Sequence, residues 1–305
     1  MNTAPWFDQM FALSPDAARA FQIARLPLKP MDRPPLSMPS LQRSLRIDGK
    51  THALNSAAGR GGGYGFSTTR QGVALLGIFG PTFKGGYGGA YMCQSMLRAD
   101  IRQAANDPNV KSLLIILDTP GGSVAGTRDL HDEIRAADKK KPVFAFAEDC
   151  CCSAGMWIAS AARTLYVNST TATVGSVGII ASVIDSSVLY QVYGIRVIPI
   201  ITGEHKATGM EGVPVSDRQI AHLQSIVDGL YAQMAGDISR GRGISRATLD
   251  GFEAKTFTGK DAVRNGLADG IKSLDATYAE LVEHSEKYTG PNGHARAQID
   301  RMERN

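Results

Sequence analysis

The sequence contains no run of eighteen apolar residues, so no membrane-spanning helix is expected. Cysteine is scarce: four in 305 residues, three of them side by side at Cys150, Cys151 and Cys152. Adjacent cysteines cannot build an ordinary disulfide framework, and none of the spacings suits a zinc site. They read as small buried residues of a reducing compartment. Neither charge dominates, since 33 Lys and Arg face 29 Asp and Glu for a net +4. No basic stripe is interleaved with aromatics, so nucleic-acid binding is not supported. The first residues lack a basic stretch followed by an apolar core, which argues against a secretory signal and for a cytoplasmic location. The remaining composition, 43% hydrophobic and 20% charged, is that of a globular protein with ample core.

The stretch Asp149-Cys-Cys-Cys-Ser-Ala-Gly-Met-Trp-Ile-Ala-Ser-Ala-Ala162 organises the rest. An apolar strand, 142–147, precedes it, and an Ala-rich run with helical spacing follows. Ser153 is thereby expected at a strand-to-helix junction, where unpaired N–H groups stabilise negative charge. The plainer alternative is that Ser153 is only an N-cap. A second stretch, Leu113-Leu-Ile-Ile-Leu-Asp-Thr-Pro-Gly-Gly-Ser-Val124, is a buried strand ending in Gly121 and Gly122, then a helical pattern over 127–138. Two glycines after a strand allow close backbone approach and leave N–H groups free for a ligand, as an oxyanion hole requires. In a third, an apolar strand over 195–201 is expected to deliver Lys206 to a glycine-bounded loop. A lone loop lysine is ordinarily a solvated charge; at the end of a buried strand it would be desolvated and could act as a base.

In chain order, residues 1–70 read as an appendage: an amphipathic stretch over 1–23, a linker over 26–40 with five prolines, and a glycine cluster over 59–65. A strand over 72–79, a helix from about 90 to 105, a strand over 110–117, the helix 127–138 and the strand 142–147 then alternate. That alternation argues a parallel sheet with right-handed crossovers. Strands over 164–167 and 174–181, a helix over 184–193 and the strand 195–201 follow. Long helical patterns begin at Asp217 and Thr248, and residues 258–266 form a helix with a Thr cap and a Gly stop. The polar tail over 286–305 reads as disordered.

Asp-Thr-Pro-Gly-Gly-Ser-Val, Cys-Ser-Ala-Gly-Met-Trp-Ile-Ala-Ser-Ala-Ala, Val174-Gly-Ser-Val-Gly-Ile-Ile180, Gly203-Glu-His-Lys-Ala-Thr-Gly209 and Phe257-Thr-Gly-Lys-Asp-Ala-Val-Arg-Asn-Gly-Leu-Ala-Asp269 occur in that order. Over roughly residues 70–285 the set resembles the signal peptide peptidase A family of Ser-Lys proteases. Within it the wording is most similar to the head (capsid-maturation) proteases of lambdoid phages. The resemblance implies an α/β fold of the ClpP/crotonase type, a spiral of repeated β-β-α units with a mostly parallel sheet, over residues 71–285. It implies Ser153 as nucleophile, Lys206 as base, Ser176 as the hydroxyl that orients the lysine, and an oxyanion hole from Gly121 or Gly122 with the N–H of Ala154. It calls for no metal and no cofactor. It implies protein or peptide substrates, among them capsid, scaffold or portal proteins, and homo-oligomers in which neighbouring subunits complete the active site.

Three rival groups are weighed. His205 adjoins Lys206, but neighbours on an extended segment point apart. His131 reads as a solvated helix histidine. Cys152 has no specific base in the sequence. The chain departs from the family in Ala-Gly after Ser153, where Gly-Gly is common, and in a Ser153–Ser176 interval about one residue longer. It lacks the family's N-terminal membrane anchor, which fits the phage type better. The expected activity is therefore a serine endopeptidase, self-processing included. The alternatives are a cellular peptide-degrading protease, a crotonase-type hydratase, and a catalytically silent oligomeric scaffold of the same fold.

Overall fold

The computed structural model describes residues 11–13, 43–54, 65–85 and 92–288. The sequence-based readings of the amphipathic stretch outside 11–13, the linker, the glycine cluster before Gly65 and the tail beyond 288 lie outside these residues; the start of that tail, expected as disordered from 286, is helical to Lys287. Described elements begin with strands β1 (Phe11–Leu13), β2 (Arg43–Ile47), β3 (Lys50–Leu54), β4 (Ser67–Thr68), β5 (Val73–Phe79), β6 (Thr82–Phe83) and β7 (Met92–Cys93). Helix α1 (Gln94–Asn106), β8 (Ser112–Thr119), β9 (Gly121–Ser123), α2 (Thr127–Asp138), β10 (Val143–Cys152) and α3 (Ala154–Ala159) follow. Then come β11 (Thr164–Val167), β12 (Thr173–Gly175), α4 (Ser187–Val192), a 3₁₀ turn (Glu204–Ala207) and α5 (Asp217–Arg242). The series closes with α6 (Arg246–Gly251), β13 (Thr256–Thr258), α7 (Gly259–Arg264), β14 (Gly270–Ile271) and α8 (Leu274–Lys287).

The larger sheet is built on β5, β8 and β10, which pair in parallel, as do β11 and β12 with β10. Only β4 and β13 join it antiparallel. The expected mixed α/β fold with a mostly parallel sheet is borne out. Its central strands read as continuous apolar runs because both faces are covered. Residues alternate: Ala74, Leu76, Ile78, Leu113, Ile115 and Leu117 enter the core that also holds α1–α3 residues such as Leu97, Leu130 and Trp157. Val73, Leu75, Leu114, Ile116, Phe144 and Phe146 face Tyr278 and Leu281 of α8. Ile47 and Leu54 of the β2–β3 hairpin, within the stretch expected as an appendage, complete this second layer.

Two expectations need correction. β10 does not stop at Ala147 but runs to Cys152. Its pairing with β8 shifts between Ala147 and Cys151, and on its other edge it changes partner from β11 to β12. The polar Glu148 and Asp149 occupy this irregularity rather than a strand end. The strands expected over 174–181 and 195–201 are also not observed at those lengths. β12 stops at Gly175, and 195–201 forms no strand. Gly175 and Ser176 both have positive φ, 119° and 51°, which takes the chain out of the sheet. Beyond it an apolar arm lies open, with Ile184 at 74%, Val192 at 77% and Ile200 at 93% exposure. Its apolar side chains find no covering layer among the described residues, so the segment pairs with no strand.

Candidate active site

Ser153 closes β10 and opens α3 in one step, with φ 55° and ψ −117°. For a residue with a Cβ this is a strained conformation, worth about 1–3 kcal/mol. The neighbours hold it: the Ser153 N–H donates to the Gly175 carbonyl at 2.7 Å, and its carbonyl accepts from the Trp157 N–H at 3.0 Å. Although Ser153 stands at the N-cap position, its side chain caps nothing. The hydroxyl, fully buried, instead makes one long contact of 3.4 Å to the Gly178 carbonyl. A strained strand-to-helix turn presenting an otherwise uncommitted serine hydroxyl is how nucleophilic serines are held in hydrolases.

The surroundings are built by close backbone approach. A Cβ on Gly155 would lie 2.6 Å from the Thr119 methyl, so only glycine lets α3 settle against the end of β8. A Cβ on Gly122 would fall 1.8 Å from the Thr82 carbonyl oxygen. Thr119 Oγ1 accepts from the Gly121 N–H at 3.2 Å and donates to the Gly80 carbonyl at 2.7 Å, which fixes the Pro-Gly-Gly corner. Gln94, fully buried, donates to Thr127 Oγ1 at 2.8 Å and Thr82 Oγ1 at 3.1 Å, tying β6 to α2 around the corner. The sequence reading gave Thr119 and Gln94 no role. Thr119 stood inside a quoted motif, whereas Gln94 carried no local signal. The Ala154 N–H belongs to the first turn of α3, where intrahelical acceptors are lacking.

The structure therefore brings Ser153 together with the Gly175–Gly178 run. Ser176 sits in that run, buried, its N–H donating to the Lys255 carbonyl at 2.9 Å. Lys206 is not brought to them. It was expected at the end of a buried strand, but it lies exposed in the 3₁₀ turn, and its ammonium has no hydrogen bond or ion pair with any described residue. The reason is the uncovered arm before it: without a strand over 195–201 nothing buries the turn. The turn is tethered to α5 through Gln219, whose Nε2 donates to the Glu204 carbonyl at 2.8 Å. At the other end of α5, Asp237 accepts from the buried Trp157 indole of α3 at 3.0 Å. The helix separates these two anchors by roughly 27 Å at 1.5 Å per residue.

The rivals fare as follows. The Cys152 thiol, which donates to the Thr173 carbonyl at 3.6 Å, is pushed far above its ordinary range by its interaction with Cys150 and then by burial, so it stays protonated. Cys150 is held low by that same interaction, and Cys151 is pushed up by burial. His131, expected as solvated, is buried in α2 beside Asp132, and burial lowers its basicity. His205 packs against His222 with ring centroids 4.7 Å apart and ring planes tilted by 46°. His205 and Lys206 lie in a turn and not on an extended segment, so they need not point apart as expected. Among the described residues no three His, Cys, Asp or Glu side chains converge on a metal position, and no helix is long and apolar enough to cross a membrane.

An α/β sheet that ends one strand in a strained, buried serine defines the class of the site. The sequence profile of Peptidase family S49 matches residues 135–287, a stretch holding Ser153, Ser176 and Lys206. The chain belongs to peptidase family S49. It is 36% identical over 179 residues to the capsid assembly protease C of Escherichia phage lambda, covering 58% of this chain and 40% of that protein. It is 32% identical over 188 residues to the head-tail preconnector protein GP5 of Enterobacteria phage P21, covering 61% and 36%. Protease 4 of Haemophilus influenzae is 28% identical over 177 residues, covering 57% and 28%. The alignments thus span less than half the length of each of these relatives.

Proposed function

We propose that the protein is a serine endopeptidase acting through a Ser153–Lys206 dyad, on a ClpP/crotonase-like spiral formed by residues 71–285. The observation that carries this reading is Ser153 itself: a strained, buried serine at a strand-to-helix junction whose hydroxyl serves no cap. Ser153 Oγ attacks the peptide carbonyl while a neutral Lys206 amine takes its proton. Charge gathering on the carbonyl oxygen is met by the N–H of Ala154 with that of Gly121 or Gly122. The Gly121 N–H is lent to Thr119 Oγ1 in the resting site, so it turns to the oxyanion only as Thr119 gives it up. Ser176 orients the lysine.

Lys206 reaches Ser153 across copies of the chain. Its exposed turn, the uncovered apolar arm before it and the separation imposed by α5 all favour delivery to a neighbouring subunit. Burial against that neighbour supplies the desolvation that keeps the amine neutral. The likeness to the capsid assembly protease of phage lambda and the head-tail preconnector protein of phage P21 favours structural proteins of a phage head as substrates, cut in the host cytoplasm.

The test is intact-mass analysis of wild type, Ser153→Ala and Lys206→Ala after incubation with denatured casein. Wild type should cut, and each variant, folded and assembled as wild type, should lose at least about 10³-fold in rate. Equal behaviour of all three would leave the fold as an assembly scaffold.

A further inference from the structure

A four-stranded sheet runs β1–β9–β6–β7. Its glycine strand β9 has β6 on one edge, pairing in parallel with Thr82 against Gly122. The other edge is taken by β1 from the N-terminal region of the same chain, antiparallel: Phe11 against Ser123, Ala12 against Gly122, Leu13 against Gly121. β9 itself lies against the helix that follows the serine. β9 continues directly from the Thr119–Pro120 corner, on which the Gly155 backbone of α3 rests. Sheet edges are where extended peptides bind by backbone hydrogen bonds, with little demand on their sequence.

The direction of β1 matters as much as its presence. Running antiparallel, it advances from Ser123 toward Gly121, so that its last residue, Leu13, lies opposite the first glycine of the corner. A peptide laid down in this sense runs toward Gly121, one of the glycines that the protease reading assigns to the oxyanion hole.

We infer that Phe11–Leu13 is an intramolecular occupant of the peptide-binding edge, competing with substrates for β9. This rests on the protease reading of Ser153. Three backbone pairs make a weak complex, but tethering gives the segment an effective concentration on the order of millimolar. A peptide arriving from solution binds only as β1 leaves.

The experiment compares the full-length chain with full-length Ala12→Pro/Leu13→Pro. Backbone N–H groups alternate in direction along a strand, so replacing both adjacent residues removes the donor facing β9 whichever one it is. A labelled synthetic peptide of residues 6–16 should bind the double variant at least about tenfold more tightly than wild type. The same gain should appear with Ser153→Ala in both backgrounds, because binding needs no chemistry. In hydrolysis of an external peptide, KM should fall by a similar factor with kcat unchanged. Equal peptide affinity for the two chains overturns the inference, whether or not either cuts. Unequal affinity with no hydrolysis by either would keep the occupant and sink the protease. A matching urea midpoint for both chains checks that the prolines leave the rest of the fold intact.

Discussion

His131 shows how a single residue carries both the fold and its pH dependence. It lies on α2 with Thr127, Leu130, Ile134, Ala137 and Asp138, all buried. Burial, countered by Asp132 and Asp237 and reinforced by Arg135, holds its ring below the ordinary value of 6.5. Above that value folded and unfolded forms are both neutral and the stabilisation is complete. As pH falls below 6.5 the unfolded chain takes up a proton that the native state refuses, and stability is lost toward the folded value. One such group contributes at most about 1.4 kcal/mol per pH unit. His284, also lowered by burial, adds to the slope. His131→Gln should flatten the fall of the urea midpoint between pH 6.5 and 5 without removing it; an unchanged slope would remove His131 from the account. The burial was legible, since the spacing 127, 130, 131, 134 is a core-facing stripe. His131 was instead assigned to a surface-facing helical pattern and read as solvated.

At the scale of elements, α5 connects the turn that carries Lys206 to the helix that follows Ser153. Its N-terminus carries a capping box, with Ser216 Oγ accepting from the Gln219 N–H at 3.3 Å and Gln219 Oε1 accepting from the Ser216 N–H at 3.0 Å. The free amide NH₂ of Gln219 is what grips the Glu204 carbonyl. Gln219→Glu keeps the acceptor that the box needs and removes that donor. Because Gln219 is buried, the carboxylate oxygen now facing the Glu204 carbonyl should cost about 1–3 kcal/mol of stability; in the folded protein, on the Ser153–Lys206 reading, kcat should fall about tenfold with KM unchanged as Lys206 loses its fixed position. A kcat equal to wild type would show that the tether does not position the lysine. Elements buried on both faces, such as β5 and β8, were legible in the sequence because an apolar run needs no partner to be identified. The continuation of β10 was hidden, since Glu148 and Asp149 sit where the strand changes neighbours. The run over 195–201 was misread for the opposite reason. Its Ile and Val pattern reports that the segment is to be covered, but not that this chain covers it.

At the scale of the molecule, that arm carries most of the exposed large apolar side chains among the described residues, with Ile180, Ile184, Val188, Leu189, Val192, Ile195, Ile198 and Ile200 all exposed. Contiguous apolar surface of this kind marks an interface. Ile184→Glu/Val192→Glu should shift the mass measured by light scattering to that of a single chain. Under delivery of Lys206 between copies, peptide hydrolysis should vanish with it. A monomer that keeps full activity would place the whole dyad within one chain.

The hydrogen bond from Ser153 to the Gly175 carbonyl has a consequence for timing. Gly175 is held in turn by β13, its strand pairing with Thr256, and Ser176 by the Lys255 carbonyl. These supports come from a part of the chain made long after the serine. A ribosome that has just released residue 153 has produced the serine but none of this backbone that holds it in its strained turn. On the protease reading proposed above, the chain therefore cannot cut before translation has passed residue 258.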